Sequence, residues 1–392
     1  MGLDKTLAVI GAAFCAAATS MASAGSPALA TTASGTTIEH WGAYGSGGSP
    51  HDTQLSPVTL TLPGQVAEVG TSNSDEYALL TNGTVWAWGM GTDGELGNGG
   101  TANSFTTPVQ VQFPAGVTIA SIATDVSPYD SALATDTTGH VWGWGLNNGG
   151  EFCLGNTTTY LTPVELPFTG VTLVAGAAGH ATYDADGTLY SCGGNSHGEL
   201  GDGTTKDSTT PVKVTGIDDA EVTELVAAWG NGGALLSNGE YYDWGYNKGG
   251  QVGNGTTKNA DVPYQVPLPA TVTDPAQGGS LASNGQTIVL LSNGAVYSWG
   301  NGQYYQLGND AVANETSPIK INPPSGVTYA VVASGGSTCY AISKAGAVWA
   351  WGQNTNGQVG DGTKNTAETP VKVTTGATGI SATARDVEVS TG

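Results

Sequence analysis

The sequence predicts an all-β fold, a seven-bladed β-propeller in which one blade is completed by both termini. Three observations carry this prediction. A short apolar run ending in Trp-Gly recurs, at Trp41-Gly42, Trp88-Gly89, Trp144-Gly145, Trp244-Gly245, Trp299-Gly300 and Trp351-Gly352, with Cys192-Gly193 as a worn copy. A second marker runs in step with it, a Pro followed by an apolar residue or Tyr, at Pro57, Pro108, Pro163, Pro211, Pro263, Pro318 and Pro370. Both markers occur seven times, roughly 50 residues apart, a period within the range of propeller blades. The third observation is at the ends. Residues 380–392 align with the first half of a unit and stop at its hairpin, and residues 36–42 align with the strand that comes next. Joining the two halves closes a ring and removes open sheet edges. An open solenoid with unrelated end caps is the alternative.

Within a unit, Tyr77–Leu80 and Thr84–Trp88 read as strands joined by Asn82-Gly83, a dipeptide that tolerates the positive φ of a tight hairpin. Asn238-Gly239 and Asn293-Gly294 repeat the signal. Val85-Trp86-Ala87-Trp88 hardly alternates in polarity, the mark of a strand covered on both faces. The tryptophans, repeating in register, belong to the packing between blades. Gly201-Asp202-Gly203-Thr204 and its relatives are turns. The Pro that follows suits the start of an outer strand, where no ladder donor is needed.

Before the first unit, Lys5 precedes an apolar run from Leu7 to Ala18, followed by small-residue sites at Ala22-Ser23-Ala24 and Ala28-Leu29-Ala30. This reads as a secretory signal peptide over residues 1–30, cut after Ala30, since the run is too short to span a bilayer. A single propeller over residues 31–392 is then secreted and expected to be a soluble monomer. Three cysteines remain, Cys153, Cys192 and Cys339, so at most one internal bridge forms. Cys153 and Cys192 lie in successive repeats. They either pair or stay as buried free thiols.

Acidic residues outnumber basic ones 32 to 10, and Arg385 is the sole arginine. Such a chain repels phosphate backbones and anionic membrane surfaces, which argues against nucleic acid as a partner. The histidines 40, 51, 140, 180 and 197 form no metal or nucleophile spacing. Asp184-Ala185-Asp186-Gly187 resembles the opening of a calcium loop, but Asn195 stands where the closing glutamate belongs, so it reads as a hairpin turn. No Gly-rich loop continues into Lys-Ser/Thr and a helix. No cofactor and no metal are expected. A catalytic reading needs Asp75, Glu76, Asp130 and His180 to converge across blades, and an enzyme is not the expectation.

The residues 78–89, Ala-Leu-Leu-Thr-Asn-Gly-Thr-Val-Trp-Ala-Trp-Gly, with Gly94-Glu95-Leu96-Gly97 and Pro108-Val109, resemble the regulator-of-chromosome-condensation repeat family. The resemblance runs from about Ile38 to the end and implies seven blades, often with one split. The family includes nucleotide-exchange factors for small GTPases and secreted bacterial propellers that plug enzymes. It usually carries a His near the start of the strand before the hairpin, where this chain has Asp75, Tyr129, Gly179, Asn231, Gln286 and Thr338. The signal peptide favours the secreted bacterial type over the intracellular exchange role. The expected function is a non-catalytic scaffold that binds an extracellular protein or cell-surface polymer through one loop face. Asp75, Glu76, Tyr129, Asp130, His180, Trp229, Asn231 and Gln286 are the candidate contacts, because they vary while the framework repeats. Carbohydrate or cell-wall binding through Trp229 is the further alternative.

Overall fold

The computed structural model describes residues 37–42, 54–71, 75–123, 131–177, 179–217, 221–278, 285–382 and 386–391. The expected signal segment, Tyr129 and Asp130 lie outside them. The described residues form seven four-stranded antiparallel sheets. The first blade runs from the inner strand Val66–Thr71 through Asp75–Leu80 and Val85–Gly89 to the outer strand Ser104–Gln110. Blades two to six repeat this order over residues 119–165, 171–213, 222–265, 272–321 and 329–375. Each inner strand packs against the inner strand of the next blade, and the seventh returns to the first.

The seventh blade is split two and two. Ala377–Ala382 and Asp386–Thr391 supply its inner half, Thr37–Gly42 and Gln54–Thr61 its outer half. The seam between them is a regular antiparallel ladder, Ile38 opposite Ser390 and Trp41 opposite Val387. The ring closes as the ends of the sequence imply.

Each marker has a place in this frame. The prolines sit within the outer strands, between the two ladder segments where the register slips. In the first blade Val109 pairs with Ala87 and Ser104 with Gly89, and Pro108 lies in the bulge between. A bulge leaves unpaired backbone, so the missing N–H costs nothing there. The proline thus sits in the bulge within the outer strand and not at the strand's start, where the sequence alone suggests it.

The tryptophans lie in the seams. Trp144, Trp244, Trp299, Trp351 and Trp41 are all 0–1% exposed. Each indole Nε1–H donates to a backbone carbonyl in the preceding blade: Glu95 at 2.8 Å, Glu199 at 2.8 Å, Gln251 at 2.6 Å, Gln306 at 3.0 Å and Gln358 at 2.9 Å. Two residues after each accepting residue stands a glycine, 97, 201, 253, 308 or 360, with φ between 58° and 77°. A Cβ on Gly97 would meet Trp144 Cδ1 at 2.9 Å, so glycine is needed there for both conformation and space. Trp88 differs and donates to Glu76 Oε2 in its own blade.

One seam is built otherwise. Between blades two and three the glycine is replaced by Cys153, with φ 60°, and the tryptophan by Cys192. The two form a disulfide with Cα atoms 5.5 Å apart. A third change accompanies them. Tyr183 occupies a position held by Ala78, Ala134, Ala234, Val289, Ala341 and Val389 in the other blades. Its hydroxyl donates to the Glu151 carbonyl at 2.6 Å, taking over the acceptor that the absent indole would have used. Cys339 is a free, buried thiol whose pKa burial pushes up to about 12.

Candidate functional site

An antiparallel blade sends its loops alternately to two faces. The Asn-Gly hairpins and the links between blades share one face. The turns after the inner strands and the long loops before the outer strands share the other. Those long loops are held from within by a recurring Asn. Asn247 is fully buried, and its Nδ2 donates to Asn254 Oδ1, Thr256 O and Lys258 O while its Oδ1 accepts from Val252 N. Asn195 and Asn354 do the same in their loops. Lys206, Lys258 and Lys364 are exposed on these loops. Sequence reasoning missed the Asn, although it recurs three residues before a Gly in each of these loops. Asn195, which falls at the closing position of the calcium-loop spacing, is the brace of its loop. Asn247→Ala strands several buried polar groups, and we expect it to lower the unfolding free energy by about 2 kcal/mol in urea titration.

The candidate contacts fall in three groups. Tyr129 and Asp130 lie outside the described residues. Asp75, Glu76, His180, Asn231 and Gln286 are buried, at 0–2% exposure, and are not open to a partner. They open the second strand of each blade, which is covered by its own inner and third strands and by neighbouring blades. Gln286 Nε2 donates to Ser334 Oγ at 2.8 Å and Gly335 O at 3.2 Å in the next blade. His180 Nε2 donates to the Asn231 carbonyl at 3.3 Å, also across a seam. Burial holds the His180 pKa below its ordinary value, against the opposing pull of the Glu199 charge and the Asn231 bond. Tyr77 donates to Asp75 Oδ2 at 3.3 Å. These residues tie the ring together. Strand openings carry too few residues for alternation to show which side chains turn inward.

Trp229 is the exception. It lies half-buried in the turn after the inner strand of blade four. Two partly exposed rings join it, Tyr246 from the long loop of the same blade and His197 from that of blade three. Ring centroids are 5.3 Å apart for Trp229 and Tyr246, 4.9 Å for His197 and Tyr246, and 6.0 Å for His197 and Trp229. Gly230, at φ 78°, lets the chain pass beneath, since a Cβ there would sit 3.0 Å from Tyr246 Cβ. Asn231 Nδ2 donates to the Tyr246 carbonyl at 2.8 Å and fixes the base of that loop. Glu199 lies under the rings, 6% exposed, and accepts from His197 N at 2.7 Å and Nδ1 at 2.9 Å. Of this cluster only Trp229 stood out in the sequence. Tyr246 and His197 belong to different repeats, and spacing along the chain does not show that they meet.

The fold and its repeat define a seven-bladed β-propeller. The family model for the Regulator of chromosome condensation (RCC1) repeat matches residues 82–124, 186–235, 238–282, 293–342 and 345–389, and the chain belongs to that family. Each match begins near a hairpin and ends in or near the following blade, half a blade out of phase with the sheets. The stretch 125–185, which that model leaves unmatched, contains Cys153 and Tyr183. The ultraviolet-B receptor UVR8 of Arabidopsis thaliana is 30% identical over 351 residues, covering 87% of this chain and 78% of that protein. The E3 ubiquitin-protein ligase HERC2 of Homo sapiens is 30% identical over 303 residues, 75% of this chain but 6% of that protein. Among solved structures, Prp20p from Saccharomyces cerevisiae superposes with a TM-score of 0.77 at 18% identity, covering 91% of each chain. Human WBSCR16 superposes with a TM-score of 0.76 at 17% identity, covering 90% of this chain and 98% of that one.

Proposed function

We propose that this propeller is a secreted, non-catalytic scaffold that binds a protein partner through the face carrying its long braced loops. The observation that carries the reading is the corner formed by Trp229, Tyr246 and His197. Large rings left partly exposed on a rigid ring of sheets are the usual anchors of protein interfaces. The structure of Prp20p is described together with its binding to Gsp1p and histones, and a further structure shows Kap60 bound to it, so proteins of this fold serve as docking bodies. The basic start, apolar run and small-residue sites of residues 1–30 support export. An acidic chain, at a formal net charge of −22, suits a basic partner surface.

Export is tested by N-terminal sequencing of the protein recovered from the medium, with a start at Thr31 as the expected result. Docking is tested by capture from that medium with the mature chain as bait. Trp229→Ala together with Tyr246→Ala is expected to weaken capture at least about 30-fold, as for loss of a hot spot worth about 2 kcal/mol. Lys344→Glu, an exposed hairpin position on the opposite face, is expected to leave it unchanged. Equal losses in both variants would sink this choice of face. Faster nucleotide release from a small GTPase on mixing would instead favour an exchange role.

A further inference from the structure

The geometry points to a cation site in this corner: Trp229, Tyr246 and His197 over the buried Glu199 carboxylate form a receptor for an ammonium or guanidinium side chain of a protein partner. The inference rests on the docking face proposed above and names what that face recognises.

The corner is peculiar to one seam. At the position of Trp229 the sequence has Asn73, Tyr129, Ala178, Asn284 and Gly336 in blades one, two, three, five and six. Where blade four has Tyr246, they have Met90, Leu146, Gly194, Asn301 and Gln353. Where blade three has His197, Asp93, Gly149, Gly249, Tyr304 and Asn356 stand elsewhere. The frame therefore closes without these rings, and their presence together is not a demand of the fold. They come from three separate loops and converge within 6.0 Å.

The angles select the ligand. Tyr246 stands at 71° to Trp229 and 83° to His197. Rings set as walls offer no flat floor on which a sugar could stack. A compact cation meets the negative faces of such walls, an attraction that strengthens as water is excluded. Below them lies the Glu199 carboxyl, held in place by His197 N and Nδ1. It is 6% exposed, and a Cβ on Gly230 would lie 3.9 Å from its Oε1 and 3.0 Å from Tyr246 Cβ, so the carboxylate and the ring share one small space. The aligned Gln251, Gln306 and Gln358 each accept from the backbone N–H two residues earlier, at 2.7–2.8 Å. Glu95 and Glu151 hold the same place and accept from Asp93 N and Gly149 N, so a carboxylate is common to three blades and what sets Glu199 apart is the three rings above it.

The test uses the full mature chain and two probes of equal shape, choline and the neutral 3,3-dimethylbutan-1-ol. The Trp229 indole N–H is followed by NMR and assigned through Trp229→Phe. Choline is expected to saturate the shift at a concentration at least about fivefold lower than the alcohol, as for one exposed cation–π contact. Glu199→Gln keeps the backbone acceptor and is expected to erase most of that preference while leaving the spectrum folded. Equal responses to the two probes, or a preference unchanged in Glu199→Gln, would overturn the assignment. A shift with chitotriose and none with choline would make the corner a carbohydrate site instead. These titrations involve no protein partner. A failed cation site with intact Trp229-dependent capture leaves the docking face standing, and lost capture specificity with intact choline binding does the reverse.

Discussion

Replacing Cys153 and Cys192 together with serine is expected to lower the unfolding free energy by about 4 kcal/mol, read by urea titration against the oxidised chain. The figure follows from the 39-residue separation of the bridged positions, whose closure removes about 13 cal/mol/K from the unfolded chain. A more demanding form of the test restores the seam used elsewhere. Cys153→Gly and Cys192→Trp recreate the glycine and indole of the other blades, but with Tyr183 in place the new ring meets a phenol already bonded to Glu151 O. Tyr183 also stacks on Phe168 with centroids 4.5 Å apart, so it has no free space to retreat into. We expect this double variant to be overpacked and less stable than the triple variant that adds Tyr183→Ala, by about 1–3 kcal/mol. A double variant as stable as the triple would mean that the three positions do not form one unit.

That seam also shows what could be read in advance. The ring, its seven blades and the split seventh were legible because Trp-Gly and Pro recur in register, and two complementary half-units stand at the ends. Cys192 was legible as a worn tryptophan. Its pairing with Cys153 stood as one of two alternatives, since the period gives the order of the blades but not which loop residue faces which strand, and the bridge decides between them. Tyr183 looked like any strand aromatic until the ladder set it opposite Tyr190 and among small residues in the other blades. The candidate contacts divided on the same ground. Variation between repeats marked Asp75, His180, Asn231 and Gln286 as unlike the frame, which is true of them. They differ because each makes its own tie within or across its blade, and among the described candidates only Trp229, in the turn just before its strand, reaches solvent.

Stability is expected to fall as pH rises from about 4.5 to 7, and Glu151 is the residue through which to see it. Its carboxyl is 3% exposed and Oε1 has no hydrogen-bond partner, so burial pushes its pKa up to about 7 against weaker opposing bonds from the backbone. A folded pKa above the unfolded one means that the native state holds a proton the unfolded chain releases. The contribution is complete below the unfolded value of 4.5 and is lost as pH climbs through 7. The difference amounts to about 3 kcal/mol above neutrality. His40 acts in the opposite sense. Burial lowers its pKa to about 4, so its neutral form favours the native state more as pH rises from 4 towards 6.5. Comparing the chain with Glu151→Gln at each pH cancels His40 and every other group. The substitution keeps the bond that Gly149 N donates to Oε2 at 3.1 Å, as Gln251 does in its own loop with Gly249 N. We expect the variant to gain on the parent by about 3 kcal/mol between pH 4.5 and pH 8 in urea titration. Parallel stability curves would show that Glu151 ionises inside the seam at no cost, and would remove burial as the reason three of the blades carry Gln at this position.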